Sequence, residues 1–423
     1  MSPVDATSAP RRHARNQSKP LLRRSTQGPL AVADDPLSTP EPSQSPAQPS
    51  PPPPHVSEAL SRPSTLSSRP KPTGDVRFLQ DPSIYHQIPT DDISPIFLEA
   101  EHQPRPEASL ATLLQNGHFR RAATAALTEL LQLPAHECER IFQLLYTRLA
   151  CLVLLSRPDL AAQEAVPLTD FLMRGLPQAK DVVPWIPWEL RLLLVRLQSI
   201  GAADGGRREI MTLYSLTGEL RVNIRQAQLE EDQPTLSRLH ARLQDLALRV
   251  ADALVEMGEL DTASHHLDSL IDIDQDEVAY RQALIHCRLG HVVKSRRYAS
   301  QLKNADSKAA LDALLKLADG KMTDARNAYR TLVEQHPSEP LYAQNLVVCI
   351  LYTGQIAEAR TLLQDVVQQS PACSSMLFNL STIYELCSER ANDKKTNLMR
   401  MMAAKAPSAS SGGWERPTFD FKL

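Results

Sequence analysis

Gly320-Lys-Met-Thr-Asp-Ala325 is followed, 34 residues later, by Gly354-Gln-Ile-Ala-Glu-Ala359, and the proline that closes the first window, Pro337, has its counterpart at the same distance in Pro371. Three positions under three different physical constraints move together. Glycine accepts a left-handed turn that other residues resist, alanine lets two helices approach closely, and proline ends a helix because it has no amide hydrogen to give. The pattern is that of a repeated pair of antiparallel helices.

Around these windows the helical period is clear. Ala343, Leu346 and Ile350 form the packing face of a first helix, Leu363 and Val366 answer from the second, and Leu377, Leu380, Ser381 and Tyr384 begin a further first helix in register. Weaker copies are Gly258 with Ala263 and Leu267, Gly290 with Ala299 and Leu302, and Gly117 with Ala122 and Ala126. A 34-residue period with these marks is tetratricopeptide-like. No run of alternating β-branched residues interrupts it. The fold class is all-α, a tetratricopeptide-like helical-repeat solenoid with a disordered Pro/Ser-rich N-terminal tail. Residues 251–405 are read as tetratricopeptide repeats and residues 107–250 as divergent helical repeats, because glycine and alanine match the template poorly between 130 and 250.

The tail is residues 1–75. Sixteen of the 33 prolines lie there and the first aromatic residue of the chain is Phe78, so the segment has too little to bury to offset its ordering entropy. Pro51 to Pro54 should be locally polyproline II, and Thr39-Pro40, Ser45-Pro46 and Ser50-Pro51 are candidate proline-directed phosphorylation sites. Arg11, Arg12, Arg15, Lys19, Arg23 and Arg24 would suit an organelle transit peptide, but four prolines between Pro3 and Pro29 break any amphipathic helix there. Residues 76–106 differ: Phe78, Leu79, Tyr85, Ile88, Ile93, Ile96, Phe97 and Leu98 are spaced by Pro82, Pro89 and Pro95. Apolar residues need a surface and proline forbids one long helix, so this reads as an extended linker or docking strap. Residues 406–423 form a C-terminal tail whose end, Phe419-Asp-Phe-Lys-Leu423, either docks its aromatics or goes unread.

A formal net charge of -3 and a pI near 6.5 give no field that would draw the chain onto a polyanion, so nucleic acid is not an expected partner. Six scattered cysteines without a CxxC pair read as small hydrophobes in a reducing compartment. The longest strongly apolar stretch, Leu149 to Leu155, is far short of the roughly 20 residues that span a bilayer, and no transmembrane segment is expected.

Phosphate-loop, dinucleotide, HExxH and GxSxG signatures are absent from the sequence. His136-Glu137-Cys138-Glu139 points in successive directions around a helix and cannot converge on a metal; no catalytic, cofactor-binding or metal site is assigned, and no cofactor is expected. What remains is surface. In such stacks the first helices line a concave groove, which here would receive Leu311, Leu314 and Leu317, then Leu341, Gln344, Asn345, Val348 and Leu351, then Phe378, Asn379 and Thr382, unless some of these leucines are core, the first of the three copies fitting worst. Asn345, Val348, Phe378 and Asn379 are the candidate protein-binding residues of that groove. Trp185 and Trp188, in Val183-Pro-Trp-Ile-Pro-Trp-Glu-Leu-Arg191, are the others; Pro187 sets a helix start with Trp188 in its first turn, where the two rings either cap the core or make a contact hot spot.

Asn345-Leu-Val-Val-Cys-Ile-Leu-Tyr-Thr-Gly354, Val367-Gln-Gln-Ser-Pro371 and above all Leu377-Phe-Asn-Leu-Ser-Thr-Ile-Tyr-Glu-Leu-Cys-Ser-Glu-Arg-Ala-Asn-Asp-Lys-Lys395 resemble the subunit 12 family of the trafficking protein particle complex. Arg148-Leu-Ala-Cys-Leu-Val153 and Pro187-Trp-Glu-Leu-Arg191 add to the likeness, which covers roughly residues 107–404. The resemblance implies a non-enzymatic scaffold subunit of a vesicle-tethering, Rab-activating complex in endoplasmic reticulum to Golgi transport and autophagy. It implies other subunits of that complex as partners and a Rab GTPase indirectly, with a cytoplasmic chain held peripherally at the Golgi and at endoplasmic reticulum to Golgi intermediates. The rival is a free tetratricopeptide adaptor or co-chaperone that clamps an acidic C-terminus; Asn345 and Asn379 would suit it, but Ala310, Leu314 and Ser375 stand where its basic or polar partners should be.

Overall fold

The computed structural model describes residues 76–90, 93–105, 107–174, 182–200, 204–369, 374–406, 408 and 422. The expected tail over 1–75, the helix-stopping Pro371, Cys373 and most of the C-terminal end lie outside them. Among the described residues there are seventeen α-helices and no strand. In chain order the first are α1 (Pro95–Leu98), α2 (Leu110–Gln115), α3 (Phe119–Gln132), α4 (Cys138–Leu154), α5 (Pro158–Met173) and α6 (Trp188–Gln198). Next come α7 (Arg207–Leu229), α8 (Gln233–Glu256), α9 (Leu260–Asp268), α10 (Gln275–Arg288) and α11 (Val292–Gln301). The series ends with α12 (Ala305–Ala318), α13 (Met322–Gln335), α14 (Pro340–Tyr352), α15 (Ile356–Gln369), α16 (Ser374–Cys387) and α17 (Ala391–Ala403). From α2 to α5 and from α6 to α17, each helix packs on the next, as short connections require.

One turn recurs throughout. At Gly320 (φ 76°) the glycine amide donates to the Leu317 carbonyl, 2.9 Å, and the Lys321 amide donates back to Lys316, 2.9 Å. Gly354 (φ 80°) repeats it with Leu351 and Ile350 as acceptors. The same left-handed pose holds at Gly117, Gly258 and Gly290. Both amides satisfy carbonyls that a helix end leaves orphaned, and the second helix is thereby turned back along the first. Two further copies contain no glycine. Ser156 (φ 59°) and Glu231 (φ 55°) occupy the turn, with Arg157 donating to Leu152 at 2.9 Å and Asp232 to Ala227 at 3.1 Å. The divergence read between 130 and 250 is therefore one of residue type at the turn: the backbone geometry persists with a serine and a glutamate in the glycine's place.

Alanines fill the crossings. Ala122, Ala123, Ala126, Ala263, Ala325 and Ala359 are each fully buried, as the repeat demands of a small residue between close helices. Helix starts are set by side-chain oxygens: Asn304 accepts the amides of Asp306 and Ser307, Asp274 that of Asp276, and Asp232 that of Thr235. Cys138, Cys151 and Cys349 sit in the core as small apolar groups, whereas Cys387 is exposed.

The segment from Val76 forms two 3-10 turns, Arg77–Gln80 and Pro82–Ile84, and then the short α1. Proline is disfavoured in helix interiors but suits a first turn, and Pro82 and Pro95 each open one of these elements, so the stretch is more structured than a plainly extended chain. Its first part lies on α5: Val76 and Leu79 are fully buried, Phe78 stacks on Phe171 at 5.1 Å, and Gln80 Nε2 donates to the Leu130 and Leu133 carbonyls. Its second part reaches α17. Phe97, only 2% exposed, belongs to the apolar core made by α12 to α17, and His102 Nε2 lies 3.1 Å from the Ala404 carbonyl. Arg121 of α3 donates to the Pro104 carbonyl at 2.7 Å. One short segment thus touches α3 and α17.

Beneath the strap lies a buried ion pair. Arg148 is 1% exposed and Glu164 not exposed at all; Arg148 Nε and Nη2 donate to the two carboxylate oxygens at 2.6 and 2.7 Å. The remaining valences are met by the Ala123 and His86 carbonyls, which accept from Arg148, and by the His86 amide, which donates to Glu164 at 2.8 Å. The Arg148 guanidinium also lies 5.3 Å from the Tyr85 ring centroid. Each guanidinium nitrogen of Arg148 thus has an acceptor, and both Glu164 oxygens a donor, which is the condition under which such a buried pair is tolerated.

Candidate functional site

The residues expected to line a groove lie on α12, α14 and α16. Leu311 is the exception: at 2% exposure it packs in the core with Leu315 and Ala283, because its side chain faces α10. Leu314 and Leu317 are half-buried, as are Gln344, Asn345, Val348 and Leu351, and then Phe378, Asn379 and Thr382; Leu341 is 53% exposed. Burial pushes the Tyr329 phenol well above its ordinary range, with Asn345 beside it opposing the shift. Gln344 Nε2 donates to Ser375 Oγ at 2.8 Å, linking two neighbouring first helices.

At its far end the groove carries part of the chain's own C-terminus. Lys422 Nζ stands 5.3 Å from the Phe378 ring centroid and bonds Glu385 Oε2 at 2.6 Å. The Lys422 carbonyl accepts from Lys395, a side chain only 3% exposed, whose Nζ also bonds Glu385 Oε1 at 2.7 Å. Hydrogen bonds from Lys395, then Lys422, hold the Glu385 carboxyl below its usual range. Lys394 lies over the Tyr384 ring. The residues of the terminal block, Tyr384, Glu385, Lys394 and Lys395, are thus one connected cluster.

Trp185 and Trp188 are elsewhere. A 3-10 turn, Val183–Trp185, leads to Pro187 at the N-cap of α6, and Trp188 is its first residue, 8% exposed. Trp185 packs with the core of α3 to α6 and Trp188 with that of α7 to α10, so neither meets the groove residues. The six candidate residues form two separate places. Around the tryptophans opens a cleft of about 1090 Å³. Tyr146, Arg191, Arg238 and Arg242 line it with them; Arg191 belongs to the quoted tryptophan segment, whereas Tyr146, Arg238 and Arg242 come from α4 and α8 and meet it only in space.

A smaller cavity at His286 is lined also by Ser264, Asp268 and Tyr298. Ser264 Oγ lies 3.5 Å from His286 Nε2 but gives its proton to Gln282 Oε1 at 2.8 Å, and His286 Nδ1 has no partner. A base needs its second nitrogen oriented, so this is a packed polar contact and no nucleophile–base pair. Among the described residues no group of three metal-ligating side chains converges, and no helix is long and apolar enough to cross a membrane.

Residues 310–372 match the family model described as tetratricopeptide repeat. This stretch is a tetratricopeptide-repeat region. The chain is also similar to trafficking protein particle complex subunit 12: 23% identical over 249 residues to that of Homo sapiens, covering 52% of this chain and 34% of the relative. To that of Mus musculus it is 33% identical over 96 residues, 22% of this chain and 12% of the relative. The matches thus span about a third or less of the relatives' length. Among solved structures, a tetratricopeptide repeat protein from Parabacteroides merdae is 14% identical over 62% of this chain and 93% of its own, with a TM-score of 0.35, too low to carry an argument. The tetratricopeptide region contains Asn345 and Val348 of the groove; Phe378 and Asn379 follow it, and the tryptophan cleft lies wholly outside it.

Proposed function

We propose that this protein is a non-enzymatic scaffold subunit of a vesicle-tethering, Rab-activating complex of the trafficking-protein-particle type, working in endoplasmic reticulum to Golgi transport and in autophagy. The observation that carries the reading is the likeness to subunit 12 over 249 residues. The half-buried residues on the first helices α12, α14 and α16, read as a groove, support it, since such area on a repeat array is where other chains dock. Its partners are other subunits of the complex, and through them a Rab GTPase. The chain is cytoplasmic and reaches Golgi and intermediate-compartment membranes peripherally, through the assembly. Purification of the tagged protein from its native cells under gentle conditions, with stoichiometric chains identified by mass spectrometry, tests this. Recovery of the tethering-complex core is expected; recovery of chaperones alone, or of nothing, would overturn it.

A further inference from the structure

We propose that the cleft around Trp185 and Trp188 is a docking site for an extended acidic peptide from another protein, one in which carboxylates alternate with proline or aromatic residues. The inference does not depend on membership of any complex.

The floor of the cleft is aromatic and apolar: Tyr146, Trp185 and Trp188, with Pro184, Pro187 and Leu114 beside them. At about 1090 Å³ and open to solvent it exceeds the usual range of small-molecule pockets, roughly 300–1,000 Å³, and suits several residues of a chain. Aromatic grooves of this kind hold proline-rich or aromatic segments by stacking.

Charge decides the rest. Four arginines and three glutamates line the cleft. Arg140 is held by Glu129 at 2.5 Å, and Arg191 is forked onto Glu219 by bonds of 2.9 and 2.5 Å. Arg238 and Arg242 form no hydrogen bond or close ion pair among the described residues, although Asp232 lies near enough to Arg238, and Glu189 to Arg242, to interact electrostatically at longer range. The Arg242 guanidinium lies 5.0 Å from the Trp188 ring centroid, and Arg191 5.7 Å from the same ring. Burial and the neighbouring Arg238 both disfavour the charge on Arg242, with Glu189 opposing them. Glu139 and Glu189 do not neutralise this corner fully, for each sits in the first turn of its own helix, where the amide dipoles already offset a negative charge. Two guanidinium forks therefore face the cleft with unused donors, and a carboxylate meets a fork with two parallel bonds. The site is built by α2, α4, α6, α7, α8 and the 3-10 turn, and lies outside the tetratricopeptide region.

The test uses the full chain and a fluorescein-labelled peptide, Asp-Glu-Pro-Phe-Asp-Glu-Pro, with Asn-Gln-Pro-Phe-Asn-Gln-Pro as its uncharged counterpart, followed by anisotropy. The acidic peptide should bind roughly tenfold or more tightly than the amide form and weaken several-fold between about 50 and about 200 mM salt. Arg238→Glu and Arg242→Glu should each weaken it roughly tenfold, whereas Arg400→Glu on α17 should not. Arg238 is exposed, so its variant tests the charge without disturbing the core, and circular dichroism checks both. Equal affinity for the two peptides, unchanged affinity in the folded double variant, or no binding of the acidic peptide up to about 1 mM would each overturn the proposal.

Discussion

Glu231 and Gly320 hold the same backbone pose, at φ 55° and 76°, and the amide that follows each reaches back to the carbonyl five residues before it, Asp232 to Ala227 and Lys321 to Lys316. A residue with a Cβ pays about 1–2 kcal/mol to sit there, while glycine loses more chain entropy on folding, about 0.5–1 kcal/mol. Glu231→Gly should accordingly stabilise the protein by about 0.5–1 kcal/mol in urea unfolding. Gly320→Ala should do the reverse. A Glu231→Gly variant that loses stability would show that the glutamate side chain contributes more than its backbone costs.

The Arg148–Glu164 pair makes a second, larger prediction. Arg148→Met leaves a carboxylate buried and uncompensated and should cost about 3–5 kcal/mol, whereas Arg148→Met with Glu164→Leu together should cost far less than the two single changes added. The double-mutant cycle, measured by thermal or urea unfolding, reads the coupling directly. Additive losses would mean that the bonds to the Ala123 and His86 carbonyls, and not the ion pair, hold Arg148 in place.

Acidification should weaken the fold through two histidines. Burial lowers the ring pKa of both His118 and His286 below the ordinary 6.5, with Arg121 adding to it at His118 and Lys294 at His286. Above 6.5 both states are neutral and nothing changes. As pH falls below that value the unfolded chain takes up protons that the folded chain refuses, so stability declines until the folded rings also titrate. Glu209, whose carboxyl burial raises, opposes the trend at the lower end, so the comparison should be with His118→Gln and His286→Gln. Each variant should flatten the pH 7 to 5 stability profile; profiles that superimpose on wild type would refute the assignment.

Phe97 anchors the strap in the core of the last helices. Phe97→Ala removes a buried ring and should cost on the order of 3–5 kcal/mol locally. Hydrogen exchange should then rise in residues 93–103 and in α17 while α4 and α5 stay protected. Uniform loss of protection across the chain would mean that the strap and the helices unfold as one unit.

The helical class and the hairpin turns at Gly320 and Gly354 were legible because glycine, alanine and proline repeat together at 34 residues. The turns at Ser156 and Glu231 were not, because the same geometry is there carried by residues with no left-handed preference of their own. Asn345 and Phe378 are half-buried on α14 and α16, and Leu311, one of the leucines that the sequence leaves open between groove and core, is core, since a one-position shift around a helix exchanges one for the other. Lys395 stood out in the terminal block, yet its bond to the Lys422 carbonyl joins residues no local period connects. Arg148 with Glu164, and Arg238 with Trp188, share that character: isolated polar residues on different helices, informative only once packing brings them together.

The strap also changes how the array would carry load. In a stack held only by neighbour contacts, a pull on the ends is divided among all the interfaces, each yielding a little, as in a spring. Here Pro104 is bonded to α3 and Phe97 is sunk beside α17, so the same pull falls first on one short segment. Such a member acts as a tie rod: it resists stretching until Phe97 leaves its seat, after which the helices are free to extend.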